Sequence, residues 1–121
     1  MSRTPIREDP SRVFRALSVE RRIRMVQILT GRTLCVGALS NLLGISAGAV
    51  SQHLRILKDA GLVEADRRGY FVHYRVAPGA RRRIRRIMDK IFAATKAAAK
   101  HRVKGGRTWA AKKPNAKNRK T

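Results

Sequence analysis

Residues 45–63 read ISAGAVSQHLRILKDAGLV. Ser46 is suited to cap a helix, because its hydroxyl can accept from a free N–H of the first turn. Gly61 ends the run. At about 100° per residue, Val50, Leu54 and Leu57 fall on one side, with Ala60 and His53 flanking them. Gly48, Ser51, Gln52, Arg55 and Asp59 fall away from that side. A recognition helix needs this split: one face holds it to its domain, and the other enters the major groove. The outer start of the helix is small (Ala47, Gly48, Ala49), so its free N–H groups can come close to phosphates. Gln52 can pair bidentately with adenine, Ser51 can meet a base or a phosphate, and Arg55 can reach a guanine or a phosphate. His53, at the edge of the apolar side, is expected to pack or to touch one phosphate. An ordinary amphipathic surface helix would show the same split, so the flanking sequence has to decide.

Downstream, the period changes from helical to alternating. LVEADRRGYFVHYRV (62–76) carries Arg68–Gly69 at its middle, the turn signal of a hairpin. Arg67, Arg68 and Tyr70 flank the tip. Arginine there suits phosphates or a narrow minor groove. Pro78–Gly79 breaks the strand, and ARRRIRRIMDKIFAATKAAAKHR (80–102) reads as a long helix. Ile84, Ile87, Met88 and Ile91 form one stripe on it at i, i+3, i+4, i+7. Arg81, Arg82, Arg83, Arg85 and Arg86 crowd its first turns against the helix dipole, which calls for an anionic or well-packed surrounding.

Upstream, Asp9–Pro10 is an N-cap followed by proline at the first helical position. A helix to about Leu17 presents Val13, Phe14 and Leu17. Ser18 can cap a second helix over 19–30, with Val19, Ile23 and Val26 as its apolar face and Met25, Ile28 and Leu29 as further candidates. A third helix follows Thr33, carries Leu39, Leu42 and Leu43, and stops at Gly44. The fold class is therefore mainly α with a small β-hairpin, in the order ααααββα. It contains a helix–turn–helix at 34–60 with a hairpin after it, the pattern of a winged helix.

The chain of 121 residues suffices for one modest domain, and a small core benefits from a partner subunit. Its formal charge is +22, from 29 Lys and Arg against 7 acids, which points to a polyanionic partner. Ten of the basic residues and no acid fall in 96–121, so residues 1–95 remain at +12. The expected organisation is a flexible lead at 1–8, a DNA-binding and dimerisation domain at 9–102, and a basic disordered tail at 103–121. No apolar run approaches the roughly 20 residues of a membrane span. The start of the chain lacks a signal-peptide pattern, and one cysteine, Cys35, forms no internal disulfide. A cytoplasmic protein associated with the nucleoid is expected.

VFRALSVERRIRMVQILTG, LCVGALSNLLGISAGAVSQHLRILKDAGLV and RRGYFVHYRV together resemble the ArsR/SmtB family of winged-helix regulators, over about residues 10–95. ALSVERRIRMVQIL resembles the family's opening helix pair, VSQHLRILKDAGLV its recognition helix, and RRGYFVHYRV its wing. The resemblance implies a homodimer paired through the first and last helices, which makes Val13, Phe14, Leu17, Ile84, Ile87, Met88 and Ile91 its interface. It also implies binding to imperfect palindromes near promoters, with repression until an effector acts. DNA contacts are then expected from Ser46, Ala47, Gly48, Ser51, Gln52, His53, Arg55, Arg67, Arg68 and Tyr70.

The chain departs from the metal-sensing members of that family. Their third helix carries Cys-Val-Cys, where this chain has Cys35-Val36-Gly37. A soft-metal site needs several sulfurs or imidazoles, so no metal or other cofactor is expected. The family's second site, on the last helix, needs an Asp-x-His pair, and here Asp89 is followed by Lys90 and Ile91. Cys35 reads as a small buried residue, and the effector is left unnamed. No phosphate loop, paired carboxylates or Cys/His couple supports an enzyme. The rival reading is a basic architectural protein whose tail dominates nucleic-acid binding, with Trp109 available for base stacking.

Overall fold

The computed structural model describes residues 9–94. The lead at 1–8, the stretch 95–102 and the tail at 103–121, with His101 and Trp109, lie outside the described residues. The chain divides into a unit ending at Ile91 and a second from Phe92.

Five helices and three short strands follow in the order α1 (Pro10–Ala16), α2 (Glu20–Leu29), β1 (Leu34–Cys35), α3 (Val36–Leu43), α4 (Ala47–Asp59), β2 (Val63–Arg68), β3 (Phe71–Val76) and α5 (Ala80–Ile91). The helices start largely where the cap residues place them. Asp9 Oδ1 accepts the Ser11 N–H at 3.0 Å, and Pro10 opens α1. Ser46 Oγ accepts the Ala49 N–H at 3.1 Å and opens α4. Gly44 closes α3 in the left-handed region, at φ 67°, which costs glycine little.

Ser18 differs from expectation. Its hydroxyl donates back to the Arg15 carbonyl at 2.7 Å and so finishes α1, while Val19 takes the N-cap of α2 without a side-chain bond. The face of α2 is also turned. Met25 and Leu29 are buried, Val26 and Ile28 are partly so, and Ile23 is exposed. The sequence offered two overlapping apolar stripes on this helix, and packing against α4 and β3 selects between them. On α3, Leu39 is buried whereas Leu42 lies open.

Val50, Leu54 and Leu57 of α4 are fully buried, together with Val13, Met25, Leu29, Leu39 and Val63. One core thus gathers all the elements around α4, and truncating Leu54 to alanine would cost about 2–5 kcal/mol.

The sheet has three antiparallel strands in the order β1-β3-β2. The hairpin expected at 62–76 supplies two, in a register running from Val63 opposite Val76 to Arg68 opposite Phe71. Gly69 (φ 65°) and Tyr70 form its two-residue turn, and only the glycine has positive φ. That is the pattern of a II′ hairpin, whose twist matches the strands. The third strand, β1, was not expected. Leu34 lies opposite Tyr74 and Cys35 opposite His73, and the pair ties the start of α3 to the wing.

α5 ends at Ile91, short of the expected residue 102, and Phe92–Ala94 are not helical. The apolar stripe also ends at Ile91. The arginine crowding at the start of α5 is partly relieved because Arg83 turns inward and its Nη2 donates to the Gly61 carbonyl, past the end of α4. That carbonyl lies at the negative end of the α4 dipole, where a cation is favoured. Arg81, Arg82, Arg85 and Arg86 remain exposed.

Candidate nucleic-acid interface

α4 is held at its start by the Ser46 cap and along its length by Val50, Leu54 and Leu57, so its outer side is rigidly presented. Ser51, Gln52 and Arg55 are all exposed, and among the described residues none has a side-chain partner. Ala47 and Gly48 are exposed beside them, and Ala49 is half-buried. The Ser46 hydroxyl is engaged as an acceptor, which leaves its proton available to a phosphate oxygen. Donors free in this way, on one side of a fixed helix, can read base edges at no conformational expense to the fold.

His53 occupies the boundary of this face. Its Nδ1 accepts from Arg22 Nε at 3.3 Å, which holds α4 to the start of α2. Burial, then the nearby Arg22 and Arg21 guanidinium groups, push its pKa below the ordinary histidine value. Arg22 itself also reaches the carbonyls of Arg15 and Ala16 at the end of α1, at 3.4 and 3.5 Å. Arginines 21, 22 and 24 were not singled out in the sequence, where ERRIR reads as an ordinary solvated helix face. Only the packing of α2 on α4 brings them to the interface.

The wing carries its charges in two rows. Adjacent strand residues point to opposite sides. Asp66, Arg68, His73 and Arg75 share one face with Glu64, and Arg67 lies on the other. Arg75 bonds Glu64 at 2.6 Å and approaches Asp66 at 3.9 Å. Arg68 Nε donates to Asp66 at 2.9 Å. Of the two tip arginines, then, Arg68 is held by an acid and Arg67 has no partner among the described residues. Tyr70 is 98% exposed and Phe71 64%. An aromatic pair thus stands at the tip, where the sequence had pointed to Tyr70 alone.

Among the residues expected at a subunit interface, Phe14, Met88 and Ile91 are exposed on α1 and α5. Leu17 and Ile84 are partly covered, whereas Val13 and Ile87 are buried within the single chain. Those two belong to its core, and the apolar surface left open is narrower than the full stripe.

Cys35 stands at the N-cap of α3. A Cβ built on Gly37 would meet its sulfur at 3.9 Å, so position 37 is where a second thiolate would adjoin the first. A glycine supplies none. Among the described residues, no group of three His, Cys, Asp or Glu side chains could hold a metal ion. No described helix is long and apolar enough to cross a membrane.

Residues 20–65 match the family described as bacterial regulatory protein, arsR family. The transcriptional repressor SdpR of Bacillus subtilis is 34% identical over 62 residues, covering 51% of this chain and 69% of that protein. An ArsR-like transcriptional regulator from Rhodococcus sp. RHA1 superposes with a TM-score of 0.62 at 29% identity, covering 68% of this chain and 77% of its own. The homodimeric winged helix-turn-helix DNA-binding domain of a possible ArsR-family regulator from Mycobacterium bovis gives a TM-score of 0.56 at 29% identity, over 78% of this chain and 85% of that one.

Proposed function

The chain belongs to the ArsR family of bacterial regulatory proteins and is a DNA-binding transcriptional regulator, not an enzyme; from that membership we propose that it is a dimeric repressor of imperfect palindromes near promoters. The observation that carries this reading is the exposed, unpartnered row Ser51, Gln52 and Arg55 on a helix whose opposite side is fully buried. In the proposed complex α4 lies in the major groove. Gln52 reads an adenine, Ser51 and Arg55 meet a base or a phosphate, and Ser46, Ala47 and Gly48 admit the backbone to the helix start. His53 donates to a phosphate. Arg67, Arg68 and Tyr70 place the wing along the flanking backbone or minor groove.

A second copy supplies the second half-site, paired through Phe14, Met88 and Ile91 over the partly covered Leu17 and Ile84. An exposed apolar strip on two adjoining helices of a small, highly charged domain is better explained by a partner than by water. We place the protein on DNA in the cytoplasm. The metal-sensing role of some family members does not extend to it, because Gly37 stands beside Cys35 where their second thiolate stands.

The test is genome-wide occupancy at base resolution, followed by binding of the recovered sites. A recurring inverted repeat is expected. Occupancy without sequence preference would favour the architectural reading. Gln52→Ala should cost about 1–3 kcal/mol at a single base position and relax the preference there. Equal weakening on all sequences would remove Gln52 from direct readout.

A further inference from the structure

A surface cavity of about 510 Å³ opens between the start of α2, the end of α3 and the middle of α4. Its apolar floor comes from Val19, Leu42 and Leu43. Its polar rim is Arg21, Arg24, Glu20 and His53. The rim holds two exposed arginines and one carboxylate, so it is basic, and guanidinium is the side chain best matched to phosphate oxygens.

The histidine gives the rim a direction. A guanidinium N–H can only donate, so the 3.3 Å contact with Arg22 makes Nδ1 of His53 the acceptor. The ring proton then sits on Nε2, and a fixed partner at one nitrogen fixes what the other offers. Nε2 has no partner among the described residues and is not a buried orphan, unlike Nδ1 of His73. His53 lines the cavity, and the Nε2–H is the donor its ring has left to offer there, beside the two arginines of the rim. Burial and the arginines keep the ring neutral, so it donates without adding charge.

We infer that Arg21, Arg24 and the Nε2–H of His53 form a phosphate site on the flank of α4, filled by one backbone phosphate of the bound DNA. Arg22 is its positioning residue, because it holds the ring and does not face the cavity. The inference rests on the DNA-binding reading, since α4 carries the groove-facing row on the same helix as His53. Phosphate could also arrive as a free ion or a small phosphorylated molecule, and the choice of DNA follows from that shared helix. The site adds affinity and register without sequence preference.

The test is fluorescence anisotropy with the full chain on a recovered operator and on a scrambled duplex, across a potassium chloride series. Arg21→Ala and Arg24→Ala should weaken binding to both duplexes alike, and together they should flatten log K against log salt by about 0.9, the worth of the one phosphate they share. Arg32→Ala, past the far end of α2, removes the same charge away from the cavity lining and should leave the slope unchanged. His53→Gln keeps a side-chain N–H and should retain the wild-type affinity, whereas His53→Ala should weaken binding to both duplexes alike and leave the slope unchanged. A wild-type slope with Arg21→Ala and Arg24→Ala combined, or an equal change in Arg32→Ala, would overturn the site. Inorganic phosphate that binds the DNA-bound wild type as tightly as the free chain, in an Arg24-dependent way and without releasing DNA, would assign the cavity to a small phosphate and overturn the DNA assignment. A wild-type chain that binds neither duplex would sink the parent reading as well.

Discussion

His53 joins two elements through one acceptor nitrogen, and that nitrogen can be protonated. Its pKa is lowered in the folded chain, by burial first and by Arg22 and Arg21 next, from about 6.5 in an unfolded one. The unfolded chain therefore binds more protons between those two values. Stability contributed by the neutral ring is complete above about pH 6.5 and declines as pH falls through the lowered value. Protonation also removes the acceptor that Arg22 uses. Thermal denaturation from pH 7.5 to 5 should show this loss in the wild type and a shallower one in His53→Gln. Parallel curves would show that the histidine does not titrate with unfolding. The residue scale was partly legible in sequence. Ser46 and the buried trio of α4 announce themselves through a cap and a period. The role of Arg22 does not, because its partner lies 31 positions away.

The wing shows how an element can hold its own charge in reserve. Asp66 binds Arg68 and stands within 3.9 Å of Arg75, so the tip offers less free positive charge than its sequence suggests. Asp66→Asn should release Arg68 and tighten DNA binding by about 0.2–1 kcal/mol, the range of an exposed ion pair, with a steeper salt dependence. Unchanged affinity in a titration at low salt would place Arg68 away from the phosphates. The hairpin itself was readable from its alternation and its Arg-Gly turn. β1 was not, since two residues have no period and become a strand only when β3 lies beside them. The face of α2 was misjudged for a related reason: several apolar residues allow more than one stripe, and the neighbouring elements make the choice.

For the whole molecule, α1 and α5 carry the open apolar surface and α4 carries the exposed polar row. α1 and α5 keep Phe14, Met88 and Ile91 exposed, while the core is completed without them. Met88→Asp should therefore leave the chain folded and convert a dimer to a monomer in sedimentation equilibrium, with palindrome affinity falling steeply and single half-site binding retained. A dimer that survives this substitution would move the interface elsewhere. The order of helices and wing was legible because each element carries its own period and stop signal. The share of the terminal stripe spent inside the chain was not, because an apolar residue at the right spacing serves either side of a helix pair.

Both ends of the wing are fastened at one place. The Leu62 N–H bonds the Leu57 carbonyl of α4, and the Ala77 N–H bonds the Leu62 carbonyl, each at 2.9 Å. The hairpin between them is consequently a cassette clamped at its base, with its turn far from the clamp. Lengthening or exchanging the tip changes how far the cassette reaches and leaves the seating of α4 alone. In the proposed complex, the wing's reach along DNA is therefore open to change by edits at the tip while the scaffold stays in place.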